Sequence, residues 1–217
     1  MIVDEADLPQ ELSLGDAIEA AYPAELANVE AALARRLPVL VECEKELSPF
    51  FYKSLRDRLK ARGVRCIYLD GRPPPDQPPP PVPMGMMASM VAHLRDVVRG
   101  GAGDRIVVMP HLDLLTTSSG GLTTEAREVI PLLYENPEIL WLGFKDPAFP
   151  LPEPIANLFP RHQSLLGVSR DRLRYLVTRR EARKLGKSFD PYVLYRHVSG
   201  VNAIRLRRLL GSLSGED

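Results

Sequence analysis

Glycine is missing from a long stretch of this 217-residue chain, because none occurs between Gly15 and Gly63. A phosphate-binding loop needs glycines that let backbone N–H groups converge on an anion, together with a lysine and a Ser or Thr. Here the apolar run Pro38–Cys43 leads instead into Glu-Lys-Glu-Leu-Ser-Pro-Phe-Phe at 44–51. Two carboxylates and two phenyl rings would repel or occlude a triphosphate. The stretch therefore excludes an ordinary phosphate-binding loop after the first predicted strand.

Cysteines and long apolar runs are also scarce. Cys43 and Cys66 each lie in an apolar, strand-like run, which favours buried reduced thiols over a disulfide framework or a metal site. A bridge between them would require that their two strands be neighbours. No apolar run approaches the roughly 18 residues of a membrane span, and Met1–Asp7 is acidic where a secretory signal would be basic. We expect a cytoplasmic protein with no membrane partner.

The formal net charge of zero conceals a strong asymmetry along the chain. Residues 4–30 contain eight acids and no Lys or Arg, whereas residues 161–208 contain thirteen Lys or Arg and three acids. Such a distribution indicates an acidic or anionic partner for the C-terminal part, although many of these side chains are expected on solvated helix faces.

Hydrophobic periodicity predicts an α/β fold with a five-stranded, mostly parallel sheet covered by helices on both faces. Strands are predicted at 38–43, 64–69, 105–109, 139–143 and 164–168. Helical segments are predicted at 13–36, 50–62, 84–98, 122–135, 170–185, 190–199 and 201–212, and a short segment at 154–159 precedes the fifth strand. The corresponding domains are a helical lead-in over 1–34, an α/β core over 35–169 and a helical lid over 170–217.

Two segments are read as connections. Residues 73–83 hold eight of the 21 prolines, which predicts an extended loop. Such a loop acts either as a stiff spacer or as a segment that docks onto an aromatic-lined groove of a partner, and the spacer is favoured. Gly100–Gly103 is rich in glycine but follows a helix and precedes a strand, which is the reverse of the order that a phosphate loop requires. We therefore predict a turn there.

The five strands and the helical tail together resemble an AAA-type ATPase module over roughly residues 35 to 212. The run Ile106–Leu115 is similar to the Walker B strand of that family, in which an apolar run precedes Asp-Glu. Pro110 and His111 stand in place of that pair, and only the downstream Asp113 remains. By this resemblance, the aspartate that organises the metal and the glutamate that activates water are both absent.

Three further segments carry the resemblance. Leu140–Pro147 resembles the sensor-1 strand, with Lys145 near the place of the usual Asn or Thr. Leu158–His162 resembles the arginine-finger segment, in which Arg161 would reach the nucleotide of the next subunit and stabilise phosphoryl transfer. The tail at 189–210 resembles the helical lid, most specifically in its Ser-Gly-x-Asn-Ala-x-x-Leu turn into the last helix, and Arg205 lies near the sensor-2 position.

The resemblance therefore implies a P-loop-NTPase-like pseudo-ATPase with no catalytic residue in cis, no metal and no ATP or ADP cofactor. The degenerate phosphate-loop region consists of Glu44, Lys45, Glu46, Ser48 and Phe50. Each lost electrostatic contribution is commonly worth several kcal/mol. The leading hypothesis is a module that joins active AAA ATPase subunits or other protein subunits in a hetero-oligomeric ring. In that ring it lends Arg161 or a rigid surface. Nucleotide binding in a structural role stays open, because the apolar and lid residues that contact adenine and ribose persist.

Two alternatives belong to other functional classes. The basic C-terminal lid favours nucleic-acid binding as a second hypothesis, but the sequence shows no clear aromatic stacking set. A third is an enzyme that uses Cys43, for which a phosphatase-like site needs a glycine-rich loop and an arginine six residues later, where Pro49 stands. His111 and Asp113 would serve a metal site or an activated nucleophile only with partners that the sequence does not identify.

Overall fold

The computed structural model describes residues 3–72, 84–117, 119–186 and 189–214. These residues form two compact units. The sheet unit consists of the described residues within Asn28–Glu44 and Arg56–Ser164. The helical unit consists of the described residues within Met1–Ala27, Lys45–Leu55 and Leu165–Asp217. The predicted proline-rich segment 73–83 lies outside the described residues.

Five strands form one sheet in which all neighbours are parallel, as predicted. The strands are β1 (Val39–Glu42), β2 (Cys66–Tyr68), β3 (Ile106–Met109), β4 (Leu140–Lys145) and β5 (Arg161–Ser164). Their order in the sheet is β2-β3-β4-β1-β5. The predicted fifth strand at 164–168 is wrong, because β5 begins three residues earlier and ends four residues earlier. It is a polar edge strand and lacks the apolar pattern on which the prediction depends.

Nine helices are found in the described residues. They are α1 (Leu14–Ala21), α2 (Pro23–Ala34), α3 (Ser48–Ala61), α4 (Met86–Gly100), α5 (Thr124–Tyr134), α6 (Glu153–Ala156), α7 (Arg179–Leu185), α8 (Pro191–Val198) and α9 (Ala203–Ser214). Short 3₁₀ turns occur at Glu5–Asp7, Leu112–Leu115 and Arg170–Tyr175. The Ser13 hydroxyl caps α1, because it accepts a hydrogen bond of 3.1 Å from the backbone N–H of Asp16.

Two predicted helices are each divided in the structure. The helix predicted at 13–36 ends at Ala21, and Pro23 begins α2, since proline lacks the N–H that a continuous helix would use. The helix predicted at 170–185 is split by Thr178, which caps α7 through a reciprocal capping box with Glu181. Each break lies at a residue whose chemistry favours a new helix start.

The direction of the chain crossovers explains how helices cover both faces of the sheet. From β1 the chain crosses to β2 in one direction, whereas the later crossovers run in the opposite direction. Right-handed crossovers then place α3 on one face and α4, α5 and α6 on the other. Met90 and Leu94 of α4 and Val129 of α5 accordingly share a buried cluster with Trp141 of β4. On the opposite face, Leu33, Leu59, Ile106 and Leu140 line a cavity of about 240 Å³.

Gly143 marks the tightest approach between the sheet and its covering residues. A Cβ atom at this residue would lie 2.3 Å from Cδ1 of Leu112 and 2.9 Å from Cζ of Phe159. Both neighbours are buried members of the same apolar cluster. Glycine is therefore required at this point of β4 by packing.

In the helical unit, α9 packs against α1 and α7. Arg207 of α9 forms an ion pair of 2.6 Å with Glu181, and only 10% and 3% of the two side chains are exposed. Arg207 also donates to the carbonyl of Leu176 at 2.9 Å. Because both charges are buried, removing either partner would leave an uncompensated charge in the protein interior.

The fold settles whether the two cysteines can pair. Neither Cys43 nor Cys66 forms a disulfide, and their strands are not neighbours in the sheet, so a bridge between them is excluded. Within the described ranges, no helix has both the length and the apolar character needed to cross a membrane.

Candidate functional site

The carboxyl ends of β1 and β4 meet at the place where open α/β sheets usually bind ligands. Ligands in such sheets occupy the crevice where neighbouring strands send their connections in opposite directions. Glu42 of β1 is in register with Lys145 of β4, and its carboxylate lies 3.1 Å from Nζ of Lys145. Only 9% of the Lys145 side chain is exposed. The lysine that the resemblance predicts near the sensor-1 position is thus paired with a carboxylate of the chain itself.

The glycine-free segment after β1 forms a turn that passes directly into α3. Lys45–Leu47 make the turn, and Ser48 is the buried first residue of the helix. The backbone N–H groups of Phe50 and Phe51 both donate to the carbonyl of Leu47, at 3.1 and 3.0 Å. These donors are used within the chain, so they do not converge on an external anion. Glu44 and Phe50 are both half-buried.

Glu46 is the centre of a cluster in the helical unit. Its carboxylate lies 2.7 Å from a guanidinium nitrogen of Arg205 and 3.3 Å from one of Arg208. Asn202 donates its side-chain N–H to the same carboxylate at 2.7 Å. We call these four residues the Glu46 cluster. Arg205, which the sequence places near the sensor-2 position, therefore binds a carboxylate of its own chain.

The start of α9 holds the cationic members of the Glu46 cluster in place. Asn202 Oδ1 accepts from the backbone N–H of Arg205 at 2.9 Å, and the Tyr22 hydroxyl accepts from Ala203 N–H at 3.1 Å. Asn202, Arg205 and Arg208 follow one another at intervals of three residues, which places them on one side of the helix start. The side chain of Glu46 is 21% exposed, so its charge is largely withdrawn from water.

The residues resembling a Walker B motif follow β3 but offer no acidic pair. Pro110 is buried and His111 is half-buried. Asp113 is 1% exposed within the 3₁₀ turn Leu112–Leu115, where Thr116 donates both its hydroxyl and its N–H to the Asp113 carbonyl. The described residues contain no group of three or more His, Cys, Asp or Glu arranged to hold a metal ion.

Arg161 lies at the opposite end of the sheet from Lys145. It is the first residue of β5 and is in register with Val39, whereas Ser164 is in register with Glu42. The sequence places Arg161 before the last strand, and the structure corrects this to the strand itself. Three residues of strand separate Arg161 from the carboxyl edge by about 10 Å. Its exposed side chain forms no hydrogen bond or ion pair with the part of the chain that the structure describes.

A second basic surface lies in the helical unit. The guanidinium of Arg170 stacks 4.4 Å from the ring centre of Tyr192, and Arg172 and Arg174 lie 4.9 and 4.6 Å from that of Tyr175. The two tyrosines, Tyr192 and Tyr175, are 37% and 38% exposed. We call these five residues the arginine–tyrosine surface. Arg170 and Tyr192 are 22 residues apart in the chain, so their contact depends on folding. Arg172 and Arg174 lie within three residues of Tyr175, a local signal that the sequence reasoning missed.

Sequence reasoning missed Glu42 and Arg208, and it read Glu46 only as a repulsive charge. Parallel strand register was needed to place Glu42 beside Lys145. A signal for Arg208 is present in the sequence, since its spacing from Arg205 matches one helix face. The contact between Glu46 and that face depends on long-range folding.

No protein-family model matches this chain, and no curated protein matches it. Two solved structures contain chains with a distant likeness. In the HORMA:CdnC:Trip13 complex of E. coli MS115-1, the likeness has 10% identity and a TM-score of 0.43, covering 91% of this chain and 70% of that chain. In PCH-2 of C. elegans it has 8% identity and a TM-score of 0.45, covering 97% of this chain and 64% of that chain. Neither likeness assigns the chain to a family.

Proposed function

We propose that this chain is a catalytically inactive, AAA-type module of P-loop-NTPase-like architecture. In this role it assembles with active AAA ATPase subunits as a structural or regulatory component, and it donates Arg161 in trans. The observation that carries the proposal is the Glu46 cluster. Where a nucleotide-binding loop would offer N–H donors and a lysine to phosphate, this chain offers a carboxylate that binds Arg205, Arg208 and Asn202.

The charge of Glu46 explains why this arrangement opposes nucleotide binding. A triphosphate would have to displace the carboxylate from both arginines, and it would then face that displaced charge. Like charges at such distances repel each other strongly where water is partly excluded. The cluster therefore satisfies internally the cations that a nucleotide would need.

The sheet unit supports the same proposal independently. The Lys145 ammonium at the β1–β4 crevice is already paired with Glu42. After β3, Pro110 and His111 provide no carboxylate for Mg²⁺ and no carboxylate base for water. The lysine at the crevice is thus already paired within the chain, and the carboxylates that would bind a metal ion and activate water are missing.

Titration calorimetry with Mg-ATP and Mg-ADP tests the loss of nucleotide binding. We expect no heat of binding from the purified chain at sub-millimolar concentration, and no phosphate release above the uncatalysed rate. Glu46→Gln should still bind no nucleotide, because removing one charge does not create a phosphate loop. Micromolar binding by the native chain would contradict the proposal, and hydrolysis would then have to be measured anew.

The proposed arginine finger requires a different experiment. Active AAA ATPases encoded in the same genome would be mixed with the native chain and with Arg161→Ala, and ATP turnover would be followed. An arginine finger raises kcat by about 10³–10⁵ where it stabilises the transition-state charge. Arg161→Lys should not restore stimulation, because an ammonium lacks the planar fork. Arg99→Ala is the matched control, since Arg99 is an exposed arginine of the same unit. Full stimulation by Arg161→Ala would exclude the finger role.

Binding to single-stranded nucleic acid is a second candidate function, favoured by the arginine–tyrosine surface. Tyrosine rings and the planar guanidinium groups beside them both give stacking surfaces for bases, and the arginines also attract the phosphate backbone. Arg170, Arg172 and Arg174 bring three positive charges close to two such rings. This combination is a general requirement of sequence-independent binding to single strands.

Fluorescence anisotropy with a labelled oligothymidine tests this second function. Binding that weakens steeply with added salt and is reduced by Tyr175→Ala and Tyr192→Ala would support it. Tyr134→Ala is the control, since Tyr134 is 49% exposed and belongs to the sheet unit. If the oligonucleotide fails to bind at low salt, or if all three variants behave alike, this function is excluded.

A further inference from the structure

A groove between α2 and β5 collects positive charge without any acid. It has a volume of about 370 Å³. Its polar lining consists of Asn28, Arg35, Arg161, His162 and Gln163, and its apolar lining of Val29, Ala31, Ala32, Leu37 and Val39. The side chains of Arg35, Arg161 and His162 form no hydrogen bond or ion pair with any residue that the structure describes. We call this feature the α2–β5 groove.

The residues that line the groove favour the binding of an anionic group. Two guanidinium groups and an imidazole line the groove, and none of the ten lining residues is Asp or Glu. The two amides add uncharged hydrogen-bonding groups, since Asn28 lies 3.5 Å from Gln163 and forms only a long contact with it. Carboxylates bind arginine through paired, charge-assisted hydrogen bonds, which makes them good partners for such a surface.

The groove also runs along a strand edge. Within the described residues β5 ends the sheet, with β1 on one side of it. Arg161, His162 and Ser164 are exposed. An edge strand presents a row of backbone N–H and C=O groups, and an extended peptide satisfies them by adding a strand.

The positive charges on β5 determine which kind of strand can pair with its edge. Positively charged residues on an edge discourage pairing with a second copy of the same edge, because like charges would then face each other. The same charges attract a strand that carries carboxylates. We infer that the α2–β5 groove binds an extended acidic segment of a protein partner, which adds to β5 as a sixth strand and places carboxylates against Arg35 and Arg161. This inference goes beyond the proposed function, and it does not depend on nucleotide or on an ATPase partner.

The test uses the full chain and a fluorescent peptide of alternating Glu and Thr residues. Alternation points all the carboxylates to one face of an extended strand. Peptides that replace Glu by Gln or by Lys are the matched controls. We expect anisotropy to report binding of the Glu peptide only. Arg35→Gln should weaken this binding roughly tenfold, which corresponds to the loss of one charge-assisted contact. Arg99→Gln, which replaces an exposed arginine of the same unit, should leave it unchanged.

Hydrogen exchange distinguishes strand addition from simple attraction of opposite charges. Bound Glu peptide should slow exchange at those amides of Arg161–Ser164 that face away from β1. Equal binding of the Gln peptide, or charge-dependent binding without protection of β5, would overturn the inference. Displacement of the peptide by millimolar inorganic phosphate would also overturn it, since the groove would then be a small-anion site. Circular dichroism confirms that each variant is folded. No ATPase is present in these experiments, so their failure leaves the proposed function untouched.

Discussion

Glu46 and Arg205 are joined by an ion pair of 2.7 Å, although they are 159 residues apart in the chain sequence. The pair links the segment after the first strand to the last helix of the helical unit. Asn202 and Arg208 reinforce it from the same helix. The charges of Arg205 and Arg208 are therefore balanced by a carboxylate of the same chain.

Glu46→Gln should lower the free energy of unfolding by about 1–2 kcal/mol, because a charge-assisted contact becomes a neutral one in a partly buried place. Urea denaturation measures this loss. Glu11→Gln is the control, since Glu11 is an exposed acid of the same unit. A double-mutant cycle with Arg205→Gln should give a coupling energy of about 1 kcal/mol. Strict additivity of the two substitutions would show that the ion pair contributes nothing.

The second prediction concerns the buried pair of Arg207 and Glu181. Arg207→Met should destabilise the protein by about 3–5 kcal/mol, because it leaves the Glu181 carboxylate buried without its cation. The measurement is again the free energy of unfolding.

The double variant Arg207→Met with Glu181→Gln is the informative control for that prediction. In the native chain the backbone N–H of Thr178 donates to the Glu181 carboxylate at 2.8 Å. Glutamine keeps an oxygen that can accept this hydrogen bond. Most of the lost stability should therefore return when the buried charge is removed. If the double variant is no more stable than Arg207→Met, the loss comes from packing rather than from charge.

The elements that the sequence predicts well are those whose apolar periodicity reflects burial on the sheet. Strands β1, β3 and β4 carry continuous apolar runs, and each is predicted within two residues at both ends. The polar strand β5 is misplaced because an exposed edge needs no apolar residues. The helix breaks at Pro23 and Thr178 are missed, since periodicity continues across them. Local signals do mark these boundaries, namely Pro23 at the start of α2 and the capping box of Thr178 and Glu181, but apolar periodicity does not show them.

Of the candidate site, the sequence alone predicts only which features are missing. The absence of glycine in the loop and of acids directly after β3 can be read from single segments of sequence. What replaces them depends on contacts across the chain, such as that between Glu42 and Lys145, which follow from strand order and register. Neither order nor register is encoded in a local pattern, so the internal neutralisation of Lys145 and Arg205 required the structure.

The third prediction tests the close approach at Gly143. Gly143→Ala should cost about 1–3 kcal/mol, because the new methyl group would overlap Leu112 and Phe159 and force the sheet and its covering residues apart. Gly100→Ala is the matched control, since a Cβ at this helical glycine meets no atom within 4 Å. Thermal unfolding of the two variants should therefore differ clearly. Equal melting temperatures would mean that Leu112 and Phe159 move aside without cost.

The last prediction concerns stability at alkaline pH and the β2 residue Tyr68. Burial, and next the negative charge of Asp70, raise the pKa of the Tyr68 phenol above its ordinary value of 10.0. The folded state therefore holds this proton more tightly than the unfolded state does. Its contribution to stability is fully present below about pH 10, and it is lost as pH rises through the folded-state pKa.

Urea unfolding of the native chain and of Tyr68→Phe, measured from about pH 8 to pH 11, tests that contribution. The difference in unfolding free energy between the two proteins should be constant below about pH 10. Above that pH the native chain should lose stability more steeply, because only its Tyr68 must ionise against burial. Asp70→Asn should make this loss smaller, since removing the carboxylate lowers the folded-state pKa of Tyr68 toward its unfolded value. Parallel curves for the native chain and Tyr68→Phe would show that Tyr68 ionises equally well in both states.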